Sequence, residues 1–366
     1  MNFGLSIESP EDEPHPHALG ETKKRDSFML SQSGTFKLQD FAVNRHGISD
    51  GSPPHRGSAG SPGSSSGPSP GSHAGNTHRI DVRSLDELEM GEDLGAGASG
   101  TVRRAIHRPT GEAVAVKQIQ ILEKAKRNQM VKELRIMRSH ECPWLVSLYN
   151  AFYEEARVYM VLEFMDAGSI ANLVDAHKDS GLRDERELAK LGLQVLNGLN
   201  YLHRQHHQVH RDLKPANVML NKHGQVKISD FGISSQLDST NAFCSTFVGT
   251  ACYMAPERLS GGSYSYAADI WSFGLILLEL ALGSYPYAAA DNYFKLLSSI
   301  MEGDPPTVPE ADFTAEFSEF VSLCLDKSPN RRPSANDLLK HHWLRQHPAM
   351  EDLLLSGLMQ SLALLN

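Results

Sequence analysis

The run Gly95-Ala96-Gly97-Ala98-Ser99-Gly100-Thr101-Val102 sets three glycines close together between strand-like segments. Glycine lets a backbone turn approach phosphate oxygens with no Cβ in the way. The spacing alone is ambiguous, because the same glycines open dinucleotide-binding folds. Such a fold needs a helix directly afterwards and an acidic residue about twenty positions on. Here a second strand follows instead, ending Val114-Ala115-Val116-Lys117. Further along, His210-Arg211-Asp212-Leu213-Lys214-Pro215-Ala216-Asn217 and Asp230-Phe231-Gly232 bring acids, an amide and a lysine into one short stretch.

The elements that must position these groups change character near residue 163. Alternating and β-rich runs predict strands over Leu88 to Leu94, Thr101 to Ile106, Ala113 to Ile119, Leu145 to Tyr153 and Val158 to Glu163. One helical segment, Glu123 to Arg138, interrupts them. Helical patterns then follow at Ile170 to Ala176, Glu185 to His203, Ala267 to Leu282, Asn292 to Met301, Ala315 to Cys324 and Ala335 to His341. A strand-rich small lobe ahead of a helix-rich large lobe is an α+β arrangement with a cleft between the two.

Composition narrows the class. The chain has 366 residues with 40% hydrophobic residues, enough for a substantial core, and a formal charge of −9 that disfavours nucleic acid as partner. Four cysteines without close pairing suggest neither a disulfide scaffold nor a zinc knuckle. The N-terminus has no apolar secretory core, and the stretch Ile270 to Leu282 is too short to span a bilayer. A soluble, cytoplasmic protein is expected, without membrane insertion. Residues 1–45 read as an N-terminal tail and 46–84 as a Gly/Ser/Pro-rich flexible linker. A domain over 85–345 and a C-terminal amphipathic tail over 346–366 follow. Four histidines at helical spacing, His203, His206, His207 and His210, read as a helix end leading into the acidic stretch and not as a metal site.

A glycine turn between strands, Val114-Ala115-Val116-Lys117, His210-Arg211-Asp212, Asp230-Phe231-Gly232 and then Ala255-Pro256-Glu257, in that order, resemble the protein kinase family. The resemblance covers about 85 to 345 and implies a two-lobed fold that transfers the γ-phosphoryl group of ATP with Mg²⁺. It assigns nucleotide contacts to Leu94, Gly95, Ala96, Gly97, Ala98, Ser99, Gly100, Thr101, Val102, Ala115, Lys117, and to Glu163 and Met165 of the hinge. Lys117 would hold the phosphates, anchored by Glu133 or, less centrally placed on its helix, Glu123. Asn217 and Asp230 would ligate the metal, Asp212 would take the hydroxyl proton and Lys214 would steady the phosphoryl group. Glu257 and Arg332 would form a structural ion pair, and Asp269 would brace the catalytic loop.

Finer wording, Phe247-Val248-Gly249-Thr250, Pro256-Glu257-Arg258 and Leu282-Gly283-Ser284-Tyr285-Pro286-Tyr287, resembles the MAP kinase kinases. That likeness implies phosphorylation of a downstream MAP kinase on threonine and tyrosine, and an upstream MAP kinase kinase kinase that switches the enzyme on at Thr240 and Thr246. A Ser/Thr-only Ste20-like kinase is the alternative reading, and a pseudokinase scaffold is disfavoured because Lys117, Asp212, Asn217 and Asp230 are all present. Lys23-Lys24-Arg25 followed by Phe28 and Leu30 resembles a MAP kinase docking motif. Leu353, Leu354, Leu358, Leu362 and Leu365 lie at helical spacing, and packing on the large lobe is favoured over a docking helix.

Overall fold

The computed structural model describes residues 29–30, 35–38, 41–49, 80–97, 100–120, 130, 134–135, 137–138, 142–231, 252–288, 290, 292–347 and 355. Its small lobe is built on an antiparallel five-stranded sheet: β5 (Leu88–Gly97), β6 (Gly100–His107), β7 (Glu112–Gln120), β8 (Leu148–Glu154) and β9 (Arg157–Glu163), in the order β5-β6-β7-β9-β8. Two-residue alternation sorts the side chains by face. Val114, Val116, Phe152 and Val161 join Ile80, Val82 and Leu88 on one side. Ala115, Ile119, Ala151, Tyr153, Met160 and Leu162 belong to the main core on the other. The same core takes in Met130, Leu134 and Met137, helical residues whose four- and three-residue spacing makes a single apolar stripe.

The large lobe is helical. It comprises α1 (Ile170–Ala176), α2 (Glu185–Gln205), α3 (Pro256–Leu259), α4 (Tyr266–Leu282), α5 (Tyr293–Met301), α6 (Ala315–Cys324), α7 (Ala335–Leu338) and α8 (His342–Gln346). α4 is its axis: every residue from Ala268 to Ala281 is buried, as a helix apolar on all sides must be. It stops at Gly283, whose φ of +71° supplies the left-handed cap. Between the lobes a two-stranded antiparallel ribbon, β10 (Val218–Leu220) and β11 (Val226–Ile228), carries the chain from Asn217 to Asp230.

Two boundaries differ from the sequence expectation. Within the expected tail and linker, an antiparallel meander forms from β1 (Met29–Leu30), β2 (Phe36–Leu38), β3 (Phe41–Asn44) and β4 (Gly47–Ser49). Phe41 and Val43 are 2% and 1% exposed, so burial against the small lobe orders residues that composition alone assigns to loose chain. Residues 80–84 are ordered for the same reason, with Ile80 and Val82 buried ahead of β5. Leu30 of the expected docking motif sits in β1, paired with Phe36, while Lys23, Lys24, Arg25 and Phe28 lie outside the described residues. So do Leu353, Leu354, Leu358, Leu362 and Leu365, although their neighbour Leu355 is buried and its amide donates to the Gly224 carbonyl at 3.2 Å.

Candidate active site

Lys117 sits on β7 with its side chain almost wholly enclosed, 2% exposed for the residue. Its Nζ donates to Oδ1 of Asp230 at 2.6 Å. These two residues are brought together from opposite lobes, across 113 positions of sequence. An ammonium that deep must be paired, because an isolated buried charge is costly.

Asp212 lies on the stretch that leads into β10. Both its carboxylate oxygens accept from Lys214 Nζ, at 3.2 and 2.9 Å. Asn217, buried in a 3-10 turn opened by Pro215, donates Nδ2 to the Asp212 carbonyl at 2.7 Å and to Oδ2 at 3.0 Å. The Asn217 carbonyl in turn accepts from the amide and the hydroxyl of Ser229, at 2.9 and 3.2 Å. One chain of contacts therefore links Lys214, Asp212, Asn217, Ser229 and, through the backbone, Asp230 and Lys117.

The backbone here departs from ordinary values. Arg211 and Asp230 have φ of +76° and +57°, left-handed conformations that side-chain-bearing residues seldom adopt. Asp269, buried at the start of α4, explains how the first is held. It accepts the amides of His210 at 2.8 Å and Arg211 at 3.0 Å, and His203 Nε2 at 2.8 Å. His210 spans the same region, Nε2 on the Ser229 carbonyl at 2.9 Å and Nδ1 accepting from the Asp212 amide at 3.3 Å. The donor pattern assigns the Nε2–H tautomer. His203 and His210 thus brace the loop. His206 packs against Tyr201 with the two rings tilted, and burial pushes its pKa down.

Around this centre the other expected residues fall as follows. Leu94, Gly95 and Ala96 are exposed in β5, and Gly97 and Gly100 face each other across the turn into β6. Gly100 has φ +122°, and a Cβ there would run into the Gln118 carbonyl. Val102 and Ala115 pack together with the core, while Thr101 is exposed on β6. Ala98, Ser99, Glu123, Glu133, Thr240 and Thr246 lie outside the described residues. Met165 is buried just past β9. Arg332 makes a bidentate pair with Glu257, both contacts at 2.8 Å, and also donates to the carbonyls of Asp326 and Ala267.

Two groups of contacts escaped the sequence reading. Glu163 carries more than the hinge backbone: Lys227 Nζ lies 2.7 and 2.8 Å from its oxygens, and Oε2 also accepts the Ser147 amide at 3.2 Å. Lys227 is buried on β11, three residues before Asp230, so the pair ties the end of β9 to the strand that leads to Asp230. Below the site, the Tyr253 hydroxyl donates to Glu279 of α4 at 2.6 Å, and Ser272 Oγ donates to the Tyr253 carbonyl at 2.7 Å. The Tyr285 hydroxyl donates to the Cys252 carbonyl at 2.5 Å. Burial pushes both phenols well above their usual range, and burial also raises Glu279. These bonds pin the segment before Pro256 onto the buried axis.

The donor set is chemically uniform. Asp230 and Asn217 offer carboxylate and amide oxygens, with no sulfur or imidazole among them, which suits a hard cation such as Mg²⁺. Lys117 beside Asp230 adds the positive charge that a polyphosphate requires.

A model of the protein kinase domain matches residues 88–344. The chain is 40% identical over 340 residues, 91% of each sequence, to mitogen-activated protein kinase kinase 1 of Arabidopsis thaliana. It is 39% identical over 332 residues to the mitogen-activated protein kinase kinase SIPKK of Nicotiana tabacum, covering 89% of this chain and 88% of that one. Against the MAP kinase kinase PBS2 of Saccharomyces cerevisiae the identity is 41% over 279 residues, 74% of this chain and 41% of the relative.

Proposed function

The chain belongs to the MAP kinase kinase family of protein kinases, and from that premise we propose that it phosphorylates both a threonine and a tyrosine in the activation loop of a MAP kinase. It is an ATP-dependent, Mg²⁺-dependent protein kinase. The observation that carries the phosphoryl-transfer reading is the set of contacts joining Lys214, Asp212, Asn217 and Ser229, with Lys117 bonded to the next residue, Asp230. The dual specificity is supported by the likeness to MAP kinase kinases.

Phosphoryl transfer asks for positioning and charge neutralisation more than covalent chemistry. Mg²⁺ held by Asp230 and Asn217 would neutralise charge on the phosphates of ATP. Lys117 would bind the α- and β-phosphates, with Glu133 as its carboxylate anchor. The glycine turn from Gly95 to Gly100, between Leu94 and Val102, would cover the phosphates, and Glu163 and Met165 would meet the adenine. Asp212 orients the incoming hydroxyl and accepts its proton as the new oxygen–phosphorus bond forms and ADP leaves. Lys214, already bonded to Asp212, neutralises the transferring group and keeps that carboxylate aimed. Arg332 and Glu257 fix the end of the activation segment against α4.

The same reading makes Thr240 and Thr246 the acceptors through which an upstream kinase activates the enzyme. Phosphates there would pair with cations such as Arg211 and order the segment. Lys23, Lys24, Arg25, Phe28 and Leu30 would grip the MAP kinase, cations on an acidic patch and apolar side chains in a groove. Among the described residues no helix is long and apolar enough to cross a membrane. Cys142, Cys252 and Cys324 form no disulfide, in keeping with a cytoplasmic enzyme.

The test is mass spectrometry of a catalytically inert, folded MAP kinase after incubation with this enzyme and Mg²⁺-ATP. Phosphate on both the threonine and the tyrosine of its loop is the expected result. Phosphate on serines and threonines alone, with that tyrosine untouched, would overturn the dual specificity and favour the Ser/Thr-only reading.

A further inference from the structure

Two separate pieces of chain enter the core to which the Lys117 face of the sheet belongs. Along β7, Ala115 and Ile119 belong to the main core and Val114 and Val116 to the opposite cluster. By the two-residue alternation of a strand, Lys117 therefore projects on the side of Ala115 and Ile119. In that core Met130, Leu134 and Met137 supply the helical stripe. Phe41 and Val43 of β3, with Ile48 of β4 packed alongside, enter the same apolar core at its β8 edge. The meander lies wholly outside residues 88–344, the span matched by the kinase domain.

Among the described residues, the Asn150 side chain fastens it. Asn150 sits where the β8–β9 register shifts, and such irregularities re-aim a side chain. Its Oδ1 accepts the Ile48 amide at 3.0 Å, and its Nδ2 donates to the Val82 carbonyl at 2.7 Å. The β3–β4 turn is shaped to that amide. Gly47 has φ +102°, and a Cβ there would lie 2.7 Å from Asn150 Nδ2.

We infer that the Met29–Ser49 meander is a positioning element of the phosphoryl-transfer site, with Phe41, Val43 and Asn150 as the positioning residues. Packed interiors are dense and deform in discrete steps. Two pieces that share one apolar layer therefore fix each other's seat. The meander sets how closely the helical residues Met130, Leu134 and Met137 press on the Lys117 face, and so how Lys117 is presented to phosphate. A kinase built this way has its activity tied to a segment ahead of the catalytic domain. The inference rests on the transfer centre being the Lys117 site, and not on which hydroxyls the enzyme phosphorylates.

The experiment uses the full chain carrying Gly47→Val, and separately the milder pair Phe41→Ala with Val43→Ala. Hydrogen exchange is followed in peptides covering 41–49, 130–138 and α4, together with kcat and KM for ATP. Release of the meander should raise exchange in 41–49 and also in 130–138, leave α4 protected, and lower kcat about tenfold, since small misplacements of catalytic groups are costly. Fast exchange confined to 41–49, with wild-type kcat, would overturn the inference. Loss of α4 protection by the milder pair would overturn it too, by showing that the meander stabilises the whole fold instead of positioning one face. If wild-type enzyme transferred no phosphate at all, the functional reading would fail while the exchange result still stood by itself.

Discussion

The ammonium of Lys117 and the carboxylate of Asp230 meet at 2.6 Å, joining the small-lobe sheet to the strand end of the large lobe. Lys117 is the better buried partner, with 3% of its side chain exposed against 26% for Asp230. Asp230 is a partner of the buried ammonium and itself retains access to solvent and to a cation.

Replacing Lys117 by Met should remove the phosphate-binding charge while keeping the volume of the stem. The expected outcome is a fall in kcat/KM for ATP of about two orders of magnitude or more, as for the loss of a main electrostatic group. Circular dichroism and the melting profile should remain those of a folded enzyme. Steady-state kinetics at varied ATP checks it, and near wild-type kcat/KM would remove Lys117 from the site.

The Arg332–Glu257 pair is closed to water on the arginine side, whose side chain is 0% exposed. Breaking a buried pair by deleting one partner leaves the other charge uncompensated, at a cost of about 3–5 kcal/mol. Arg332→Ala should show that loss in denaturant unfolding, with Glu257→Gln less affected because an amide oxygen can still accept one guanidinium bond. Equal and small losses in both variants would mean that the pair is decorative.

Glu279 gives a pH dependence with a definite sign. Burial raises its pKa in the folded state above the unfolded value, outweighing the opposing Tyr253 hydrogen bond. Its contribution is fully present below the unfolded carboxylate pKa and is lost as pH rises through the folded one. Glu279→Gln keeps an acceptor for the Tyr253 hydroxyl and cannot ionise. The variant's melting temperature relative to wild type should therefore climb as pH increases from about 4 to about 8. A difference that is flat or falls over that range would contradict the assignment.

The proposed activation through Thr240 and Thr246 makes a sharp prediction. Thr240→Ala with Thr246→Ala should give a folded kinase that an upstream kinase no longer activates, because no phosphate is available to order the segment. Assay before and after treatment with an activating kinase checks this, and full activation of the double variant would move the switch to other residues.

Much of this site was legible in the sequence because its parts are close in the chain. Asp212, Lys214 and Asn217 bond to one another within five positions. The helices Ile170–Ala176 and Ala315–Cys324 fall where pattern put them, and Thr314 accepts the Phe317 amide at the start of the second. What pattern missed is held by remote partners. Glu163 and Lys227 are 64 positions apart, and a lysine on a three-residue strand reads as solvated until its burial is seen. Strands of two to four residues beside a Gly/Ser/Pro run carry little periodic signal, and Ile48 finds Asn150 across 102 positions. The meander is ordered by the surface it covers, which no local pattern encodes.

The most direct test of the account is single-turnover phosphoryl transfer to an inert MAP kinase by wild-type enzyme and by Asp212→Asn, with ATP affinity measured alongside. Asp212 is taken to handle the hydroxyl proton and not to bind the nucleotide. The prediction is ATP binding within about threefold of wild type and transfer slowed by about 10²–10⁴, the range of general-base contributions. Undiminished transfer by Asp212→Asn would contradict the account, since the group at the centre of the Lys214–Asp212–Asn217 contacts would then be doing none of the chemistry assigned to it.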